Sequence, residues 1–358
     1  MSKYEAISKY NYGDLLQFMS LPLEAKERKA IRLIQEFADY FGEDMLYISF
    51  SGGKDSIVVN HLVERALGRG TVSRVYCDTW LEFPSLRRFV YDNYDVIVIK
   101  PDMSERDIVM KYGWCFPSKE VSACIYEYNK NGRDWADKKL SGLKADGTYS
   151  EYRQMFKKFR PVAEKAKERN IIISPYCCDK QKEEPARRYE AQTGKHPILG
   201  LRAAESQRRR NGWYKAGCNA YDTRTVRDKT TGELKEIKND FPQSKPISIF
   251  TDQDVLQYIL KYSLTIPEPY GQICNRDFPI GQMNIFGEVE PCCNLYCTGE
   301  QRTGCCFCPI GCHLDNFAKF KRLRKAFPKL YDYCMEELNE KALLDLVVEC
   351  FGGSYTKE

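Results

Sequence analysis

Residues 45–56 read MLYISFSGGKDS, a short apolar run that ends in Ser-Gly-Gly-Lys-Asp-Ser. The run is typical of a buried strand, and the apolar pattern from Ile57 to Leu67 predicts a helix that ends at Gly68. Two glycines between a strand and a helix allow a tight turn and bring backbone N–H groups close to a ligand. The free N–H donors and the positive end of the helix dipole then favour an anion. The stretch therefore predicts a strand–loop–helix unit with an anion-binding loop.

The side chains of this loop add further donors. Ser51 and Ser56 supply hydroxyl groups, and Lys54 supplies a positive charge. The spacing differs from Gly-x-x-x-x-Gly-Lys-Ser/Thr, so a Walker-type phosphate loop is excluded. Taken alone, the same residues would also fit an ordinary serine–glycine turn with Asp55 near the start of a helix.

Further short apolar runs alternate with helical patterns on both sides of this loop. Strands are predicted at residues 72–77, 94–99, 170–174 and 196–199, and a helix is predicted over residues 22–42. This alternation predicts βαβ units and a parallel sheet. We therefore expect an α/β fold, a Rossmann-like (HUP-type) parallel sheet flanked by helices, with a Cys-rich, mainly helical C-terminal region.

The chain divides into three predicted segments. They are an N-terminal helical segment over residues 1–44, an α/β domain over 45–250 with a partly helical insertion at about 126–160, and a helical, Cys-rich region over 251–358. The polar residues 222–246 predict a surface hairpin or loop. Later helices are predicted from the cap residue Thr251, over 314–327 and over 329–351.

Composition limits the classes of protein to which the chain can belong. The formal net charge of +5 is small for 358 residues and does not by itself indicate a nucleic-acid-binding protein. No run of about 18 apolar residues is present, which excludes an ordinary membrane-spanning helix. The N-terminal residues lack the apolar stretch of a signal peptide, so we expect a cytoplasmic protein.

Cysteine is unusually frequent in this sequence. There are 16 cysteines, and seven of them lie between Cys292 and Cys312. Disulfides are not expected in a chain without an export signal. Thiolate ligands for zinc or for an iron–sulfur cluster explain the cluster of cysteines better.

Three motifs together resemble a known family. SFSGGKDS at residues 49–56 resembles the pyrophosphate-binding loop of the adenine-nucleotide PP-loop superfamily. VYCDTWLEFPS at 75–85 and GLRAAESQRR at 200–209 resemble the second and third motifs of its phosphoadenosine phosphosulfate reductase-like branch. The chain resembles a bacterial and phage-borne branch with a Cys-rich C-terminal segment. The sulfur-transfer protein of DNA phosphorothioation systems is a relative in the same superfamily.

The resemblance implies an enzyme that binds an adenine nucleotide, either ATP, which Mg²⁺ would accompany, or phosphoadenylylsulfate. The residues that it assigns to the nucleotide are Ser51, Gly52, Gly53, Lys54, Asp55, Ser56, Asp78, Thr79, Glu82, Gly200 and Arg202. Lys54, Asp55, Arg202 and Arg208 are the predicted catalytic residues, since a planar guanidinium can bind two phosphate or sulfate oxygens at once.

The resemblance also implies a metal centre. In adenylylsulfate reductases a Cys-Cys pair and a distant Cys-x-x-Cys hold a [4Fe–4S] cluster, and Cys177, Cys178, Cys305 and Cys308 match that pattern. Cys218 and Cys312 are reserve ligands, because two adjacent cysteines rarely both bind. A zinc site built from Cys293, Cys297, Cys305 and Cys308 is the alternative.

The reaction stays open at this level. Sulfonucleotide reductases carry a nucleophilic cysteine in a C-terminal tail, whereas this chain has VVECFGG at residues 347–353, where Cys350 continues an apolar helical stripe. The alternatives are true sulfonucleotide reduction and ATP-dependent sulfur transfer. Either reaction needs an electron or sulfur donor protein, and the second needs a sulfur acceptor, which could be a nucleic acid. From other classes, a non-catalytic nucleotide-binding subunit with a structural zinc or cluster site and a zinc-binding nucleic-acid adaptor remain.

Overall fold

The structure is a computed structural model that describes residues 4–277 and 294–356. The strands are β1 (Tyr4–Ala6), β2 (Leu46–Ser49), β3 (Ser73–Cys77), β4 (Ile97–Ile99), β5 (His196–Leu199), β6 (Asn219–Ala220), β7 (Thr223–Asp228), β8 (Leu234–Lys238), β9 (Gln243–Ser244), β10 (Ile273–Asn275) and β11 (Leu295–Cys297). The helices are α1 (Tyr12–Met19), α2 (Leu23–Phe41), α3 (Lys54–Leu67), α4 (Pro84–Asn93), α5 (Glu105–Tyr112), α6 (Lys119–Asn131), α7 (Asp134–Leu140), α8 (Glu151–Lys157), α9 (Arg160–Glu168), α10 (Tyr176–Cys178), α11 (Glu184–Thr193), α12 (Gln207–Ala216), α13 (Asp252–Lys261), α14 (Ala318–Ala326), α15 (Pro328–Glu336) and α16 (Glu340–Phe351).

These elements form two compact units, each assembled from separate stretches of the chain. The first unit comprises Met1–Cys77, Phe83–Ile99 and Arg188–Thr303, and the second comprises Asp78–Glu82, Lys100–Arg187 and Gly304–Glu358. The predicted segments 1–44, 45–250 and 251–358 are defined along the sequence, and they stay a prediction.

The first unit is built on a six-stranded sheet with the order β4-β3-β2-β5-β9-β6. The pairs from β4 to β9 are parallel, and only the short β6 runs antiparallel to its neighbour β9. Helix α3 packs on β2 and β5, α2 packs on α3 and β9, and α13 packs on α2 and α3. The predicted α/β fold with a mainly parallel sheet flanked by helices is therefore confirmed.

The predicted strand over residues 170–174 is wrong. Asn170, with φ 54°, follows the end of α9, and Ile173 forms only an isolated bridge with Trp114. Trp114 N–H donates to the carbonyl of Ile172, and Ser174 N–H donates to the carbonyl of Trp114. The segment belongs to the second unit, where it pairs with the single residue Trp114 and not with a strand.

The polar segment 222–246 forms the predicted hairpin. β7 and β8 pair antiparallel from Thr223 opposite Lys238 to Arg227 opposite Leu234, and β1 adds a third antiparallel strand. The end of the segment differs, since β9 at Gln243–Ser244 joins the central sheet.

The second unit is mainly helical. The predicted insertion at 126–160 contains the end of α6 together with α7 and α8, so its partly helical character is confirmed. The continuous helix predicted over 329–351 is wrong, because the chain breaks between α15 and α16 at Asn339, whose φ is 52°. Asparagine adopts this left-handed conformation more readily than most residues do, and buried Leu338 anchors the turn. Among the helices of the described residues, none combines the length and the apolar character that a membrane crossing requires.

Candidate functional site

The Ser51–Ser56 loop lies where the strand order of the sheet reverses. It follows β2, and the chain then places β3 and β4 on one side of β2 and β5 on the other. Open α/β sheets bind their ligands at the carboxyl ends of the strands beside such a switch point. The predicted strand–loop–helix unit is confirmed, with α3 starting at Lys54.

The two glycines of the loop are needed for different reasons. Gly52 has φ 71°, and a Cβ atom there would lie 2.4 Å from Val90 Cγ2 on α4. Gly53 has φ −75°, which suits any residue, but a Cβ atom there would lie 3.1 Å from Tyr270 Oη. Gly52 permits the turn, and Gly53 leaves room for the Tyr270 hydroxyl above the start of α3.

The serine hydroxyls brace the loop from within. Ser56 Oγ donates to the Gly53 carbonyl at 2.8 Å and accepts from Ser51 N at 3.3 Å. Ser51 Oγ donates to Ser56 Oγ at 3.2 Å and accepts from Gly53 N at 3.3 Å. These hydrogen bonds hold the backbone of the loop in a fixed orientation at the N-terminal end of α3.

Lys54 is buried beside the loop, with 3% of its side chain exposed. Its Nζ donates to the carbonyl of Gln301 at 3.0 Å and lies 3.4 Å from Asp55 Oδ2 and 3.7 Å from Asp252 Oδ1. Its backbone N–H donates to Tyr270 Oη at 3.1 Å. No local pattern indicates Tyr270 or Gln301, which lie more than 200 residues away from Lys54 along the chain.

Gly200 brings the end of β5 against the first turn of α3. A Cβ atom at this position would lie 3.1 Å from the carbonyl carbon of Asp55 and 3.2 Å from Ser56 N. Those neighbours are backbone atoms and cannot swing away, so the close approach favours a glycine. Two residues further on, the same segment delivers Arg202 to the loop.

The guanidinium of Arg202 is fully buried, with 0% of its side chain exposed. Its Nε lies 2.5 Å from Asp55 Oδ1, and its Nη2 lies 2.7 Å from Asp252 Oδ1 and 3.6 Å from Glu205 Oε1. Burial lowers the pKa of Arg202, but the charges of Asp55 and Asp252 outweigh it, so the net shift is upward and the group stays charged. Its Nη1 is buried and has no hydrogen-bond partner among the residues that the structure describes. A charged donor left in this state is suited to an anionic oxygen.

The predicted clamp Arg208 lies exposed on α12, whereas the next residue carries its charge toward the site. Arg209 pairs with Glu205. Burial and the charges of Arg302 and Arg202 together lower the pKa of Arg209 to about 10, and the charge of Asp55 opposes them. A bound anion would reduce the repulsion between Arg209 and the neighbouring arginines, which favours Arg209 over Arg208 as a phosphate contact.

The residues predicted from the second motif belong to the second unit. Asp78, Thr79 and Glu82 are all buried. Thr79 Oγ1 lies 2.9 Å from both carboxylate oxygens of Glu82, and Lys182 Nζ lies 3.1 Å from Glu82 Oε1. Asp78 Oδ1 accepts from Trp80 N at 3.3 Å. These contacts fix the turn that directly follows β3.

The four cysteines predicted as cluster ligands also lie in the second unit. Burial raises the pKa of Cys177 well above its ordinary value, and the charges of Cys305, Cys178 and Cys308 raise it further. Burial and the charge of Cys305 raise the pKa of Cys308 to about 12. A hydrogen bond with Cys115, together with burial, raises the pKa of Cys178. The four thiols are therefore neighbours that influence one another.

The arrangement of these thiols is not that of a metal site. Across residues 4–277 and 294–356, no group of three or more histidine, cysteine, aspartate or glutamate side chains is arranged to hold a metal ion. The donors have the right chemistry for iron–sulfur ligation, but their placement does not bring three of them together.

The other predicted ligands are placed as follows. Cys312 is buried in the second unit, and the charge of Cys308 acts on it. Cys218 belongs to the first unit, where it is buried beside Trp213 and Lys245. For the zinc alternative, Cys293 lies outside the described residues, and Cys297 belongs to the first unit.

Cys350 lies in the last turn of α16. Burial raises the pKa of its thiol, whereas a nucleophilic cysteine needs a lowered one. Its neighbour Glu349 forms ion pairs of 2.6 Å with Lys165 and with Arg169. These contacts favour a structural role for the end of α16.

Comparison with known proteins gave limited similarity. Neither a protein-family model nor a curated protein sequence matches the chain. Among solved structures, the phosphoadenylyl-sulfate (PAPS) reductase from Candida auris, in a phosphate complex, is similar with 14% identity and a TM-score of 0.34, covering 73% of this chain and 98% of that one. The FMN adenylyltransferase of Candida glabrata is similar with 12% identity and a TM-score of 0.35, covering 78% of this chain and 82% of that one. At these TM-scores, the fold described above rests on the strand order of the chain itself.

Proposed function

We propose that the chain is an enzyme that binds an adenine nucleotide, ATP or phosphoadenylylsulfate, with the phosphates at the Ser51–Ser56 loop. The observation that carries the proposal is the fully buried Arg202 beside the loop, whose Nη1 has no hydrogen-bond partner within residues 4–277 and 294–356. A buried guanidinium with an unused donor is costly unless a ligand takes it up.

The donors around the loop match a phosphate chain. Backbone N–H groups at the start of α3 and the charges of Lys54 and Arg202 all come from the first unit. Helix N-termini bind phosphates through such N–H groups, and the dipole of the helix adds to the attraction. Asp55 and Asp252 hold Arg202 in place, so the site is organised before a ligand arrives.

The adenine specificity is proposed from the resemblance of the three motifs. Isothermal titration calorimetry with ATP, phosphoadenylylsulfate and GTP, each with and without Mg²⁺, tests it. We expect binding of at least one adenine nucleotide and much weaker binding of GTP. An absence of binding for both adenine nucleotides at millimolar concentration would overturn the proposal.

Turnover separates an enzyme from a binding subunit. If ATP is the substrate, pyrophosphate is released when the α-phosphate is transferred to an acceptor. If phosphoadenylylsulfate is the substrate, sulfite is released by reduction, and an electron donor is required. Assays of both products in the presence of a thiol reductant distinguish the two reactions, and formation of neither product would favour the non-catalytic alternative.

An iron–sulfur cluster held by Cys177, Cys178, Cys305 and Cys308 is a further part of the proposal. It rests on the resemblance and on the thiolate chemistry that such clusters require, not on the arrangement of the thiols, since no metal-holding group is formed among the described residues. A bound cluster would supply electron transfer or sulfur to the reaction. Anaerobic purification followed by iron, sulfide and zinc analysis tests it. About four irons and four sulfides per chain are expected for a [4Fe–4S] centre. Zinc in their place, or no metal, would remove the cluster from the account.

A further inference from the structure

The side chain of Tyr270 lies directly over the start of α3. Its hydroxyl accepts a hydrogen bond from Lys54 N at 3.1 Å, and it lies 3.1 Å from the position of a Cβ atom on Gly53. The residue is buried, with 2% of its surface exposed. The Tyr270 hydroxyl therefore occupies the space in which an anion at this helix end would be bound.

Neighbouring groups hold the tyrosine in this position. Thr303 Oγ1 lies 2.8 Å from Tyr270 Oη. Lys54 Nζ lies 5.5 Å from the centre of the Tyr270 ring and donates to the carbonyl of Gln301 at 3.0 Å. Two segments near residues 270 and 301–303 thus converge on the loop within the first unit.

A phosphate oxygen and the tyrosine hydroxyl need the same donor. The first N–H groups of a helix have no partner within the helix, so the N–H of Lys54 is available to one external acceptor. Burial raises the pKa of Tyr270, so its hydroxyl is neutral at pH 7 and is a weaker acceptor than a phosphate dianion. The two acceptors are too close together to be accommodated at once without movement of the ring.

We propose that Tyr270 is a gate on the phosphate subsite, an inference that rests on the proposed function. Its hydroxyl competes with a nucleotide phosphate for the N–H of Lys54, and binding displaces the ring. Thr303 supports the closed position through its hydrogen bond to Tyr270. The gate sets the affinity of the subsite and favours release of the phosphate group after reaction.

The sign of one affinity change tests the gate. Tyr270→Phe keeps the ring and removes the competing acceptor, so the dissociation constants for ATP and for pyrophosphate should fall by about threefold to tenfold, the value of one hydrogen bond. Thr303→Val should give a smaller change in the same direction. Tyr262→Phe, which removes a hydroxyl that donates to Glu27 at 2.6 Å, is the matched control and should leave both constants unchanged.

The outcomes separate this inference from the proposed function. Weaker binding by Tyr270→Phe would show that the hydroxyl is a ligand of the phosphate, and unchanged binding would show that it does not compete; either result overturns the gate. If the wild-type chain binds neither ATP, phosphoadenylylsulfate nor pyrophosphate, the proposed function fails first. Thermal unfolding without nucleotide checks that each variant is folded. If Tyr270→Phe does not fold, the change in affinity of Thr303→Val tests the gate instead.

Discussion

The adjacent glycines Gly52 and Gly53 should respond differently to substitution by alanine. In Gly52→Ala, a side chain at φ 71° costs about 1–2 kcal/mol in backbone strain. The contact of 2.4 Å with Val90 Cγ2 adds about 1–3 kcal/mol of overpacking, so the free energy of unfolding should fall by about 2–5 kcal/mol in total. In Gly53→Ala, φ is −75° and adds no backbone strain, but the new Cβ atom would lie 3.1 Å from Tyr270 Oη and 3.3 Å from Ser51 Oγ and Thr303 Oγ1. This crowding offsets the gain of about 0.4–1 kcal/mol from reduced unfolded-state freedom, so the free energy of unfolding should change much less than in Gly52→Ala. The new methyl group would nevertheless occupy the space needed by a phosphate.

Urea unfolding followed by circular dichroism, combined with ATP titration, measures both effects. Gly70→Ala is the matched control, because Gly70 has φ 76° but, apart from its chain neighbours, no described residue has an atom within 4 Å of its Cβ position. It should lose only the backbone component, about 1–2 kcal/mol. The packing argument is refuted if Gly52→Ala is no less stable than Gly70→Ala. The site argument is refuted if Gly53→Ala binds ATP as tightly as the wild type does.

Three further predictions concern charge and burial. Arg202→Lys keeps the charge but loses a charge-assisted hydrogen bond worth about 1.5–3 kcal/mol, so ATP affinity should fall about tenfold to hundredfold. Arg208→Lys should leave ATP affinity unchanged. Equal effects of the two substitutions in calorimetry would contradict the placement of the two residues. Burial raises the pKa of Glu27, but hydrogen bonds from Lys261, Tyr262 and Arg65 outweigh it and lower the pKa overall. The contribution of Glu27 to stability is therefore present above the unfolded pKa of about 4.3 and is lost as the pH falls through the lower folded pKa. In urea titrations, Glu27→Gln should show a shallower loss of stability between pH 5 and pH 3 than the wild type. The same dependence of stability on pH in both proteins would exclude this role. Burial raises the pKa of Cys124 to about 11, so iodoacetamide at pH 8 should modify it only after unfolding, and rapid labelling of the native protein, read by mass spectrometry, would be inconsistent with its position.

Local sequence patterns predicted those parts of the fold that depend on short-range chemistry. The β2–loop–α3 unit follows from an apolar run, two glycines and a helical period, and all of these signals lie within about 25 residues. The cap of α13 is similar, because Thr251 and Asp254 form the reciprocal hydrogen bonds that their spacing indicates. The strand predicted over residues 170–174 was wrong because an apolar run does not reveal whether a partner strand exists.

The candidate site was only partly predictable for the same reason. Asp252, Tyr270 and Thr303 reach the loop through tertiary contacts, and nothing in their own neighbourhoods indicates this. A usable signal did exist for Arg209, which follows Glu205 by four residues and so lies on the same side of the chain. The prediction of Arg208 instead came from matching a motif by position.

The central claim is that backbone N–H groups of the Ser51–Ser56 loop hold the phosphates of an adenine nucleotide. Hydrogen–deuterium exchange of the peptide that spans residues 51–58, with and without saturating ATP or phosphoadenylylsulfate, measures those groups directly. The account predicts slower exchange at Gly53, Lys54 and Asp55 when the nucleotide is bound. Unchanged exchange in this loop, together with protection elsewhere in the chain, would contradict it.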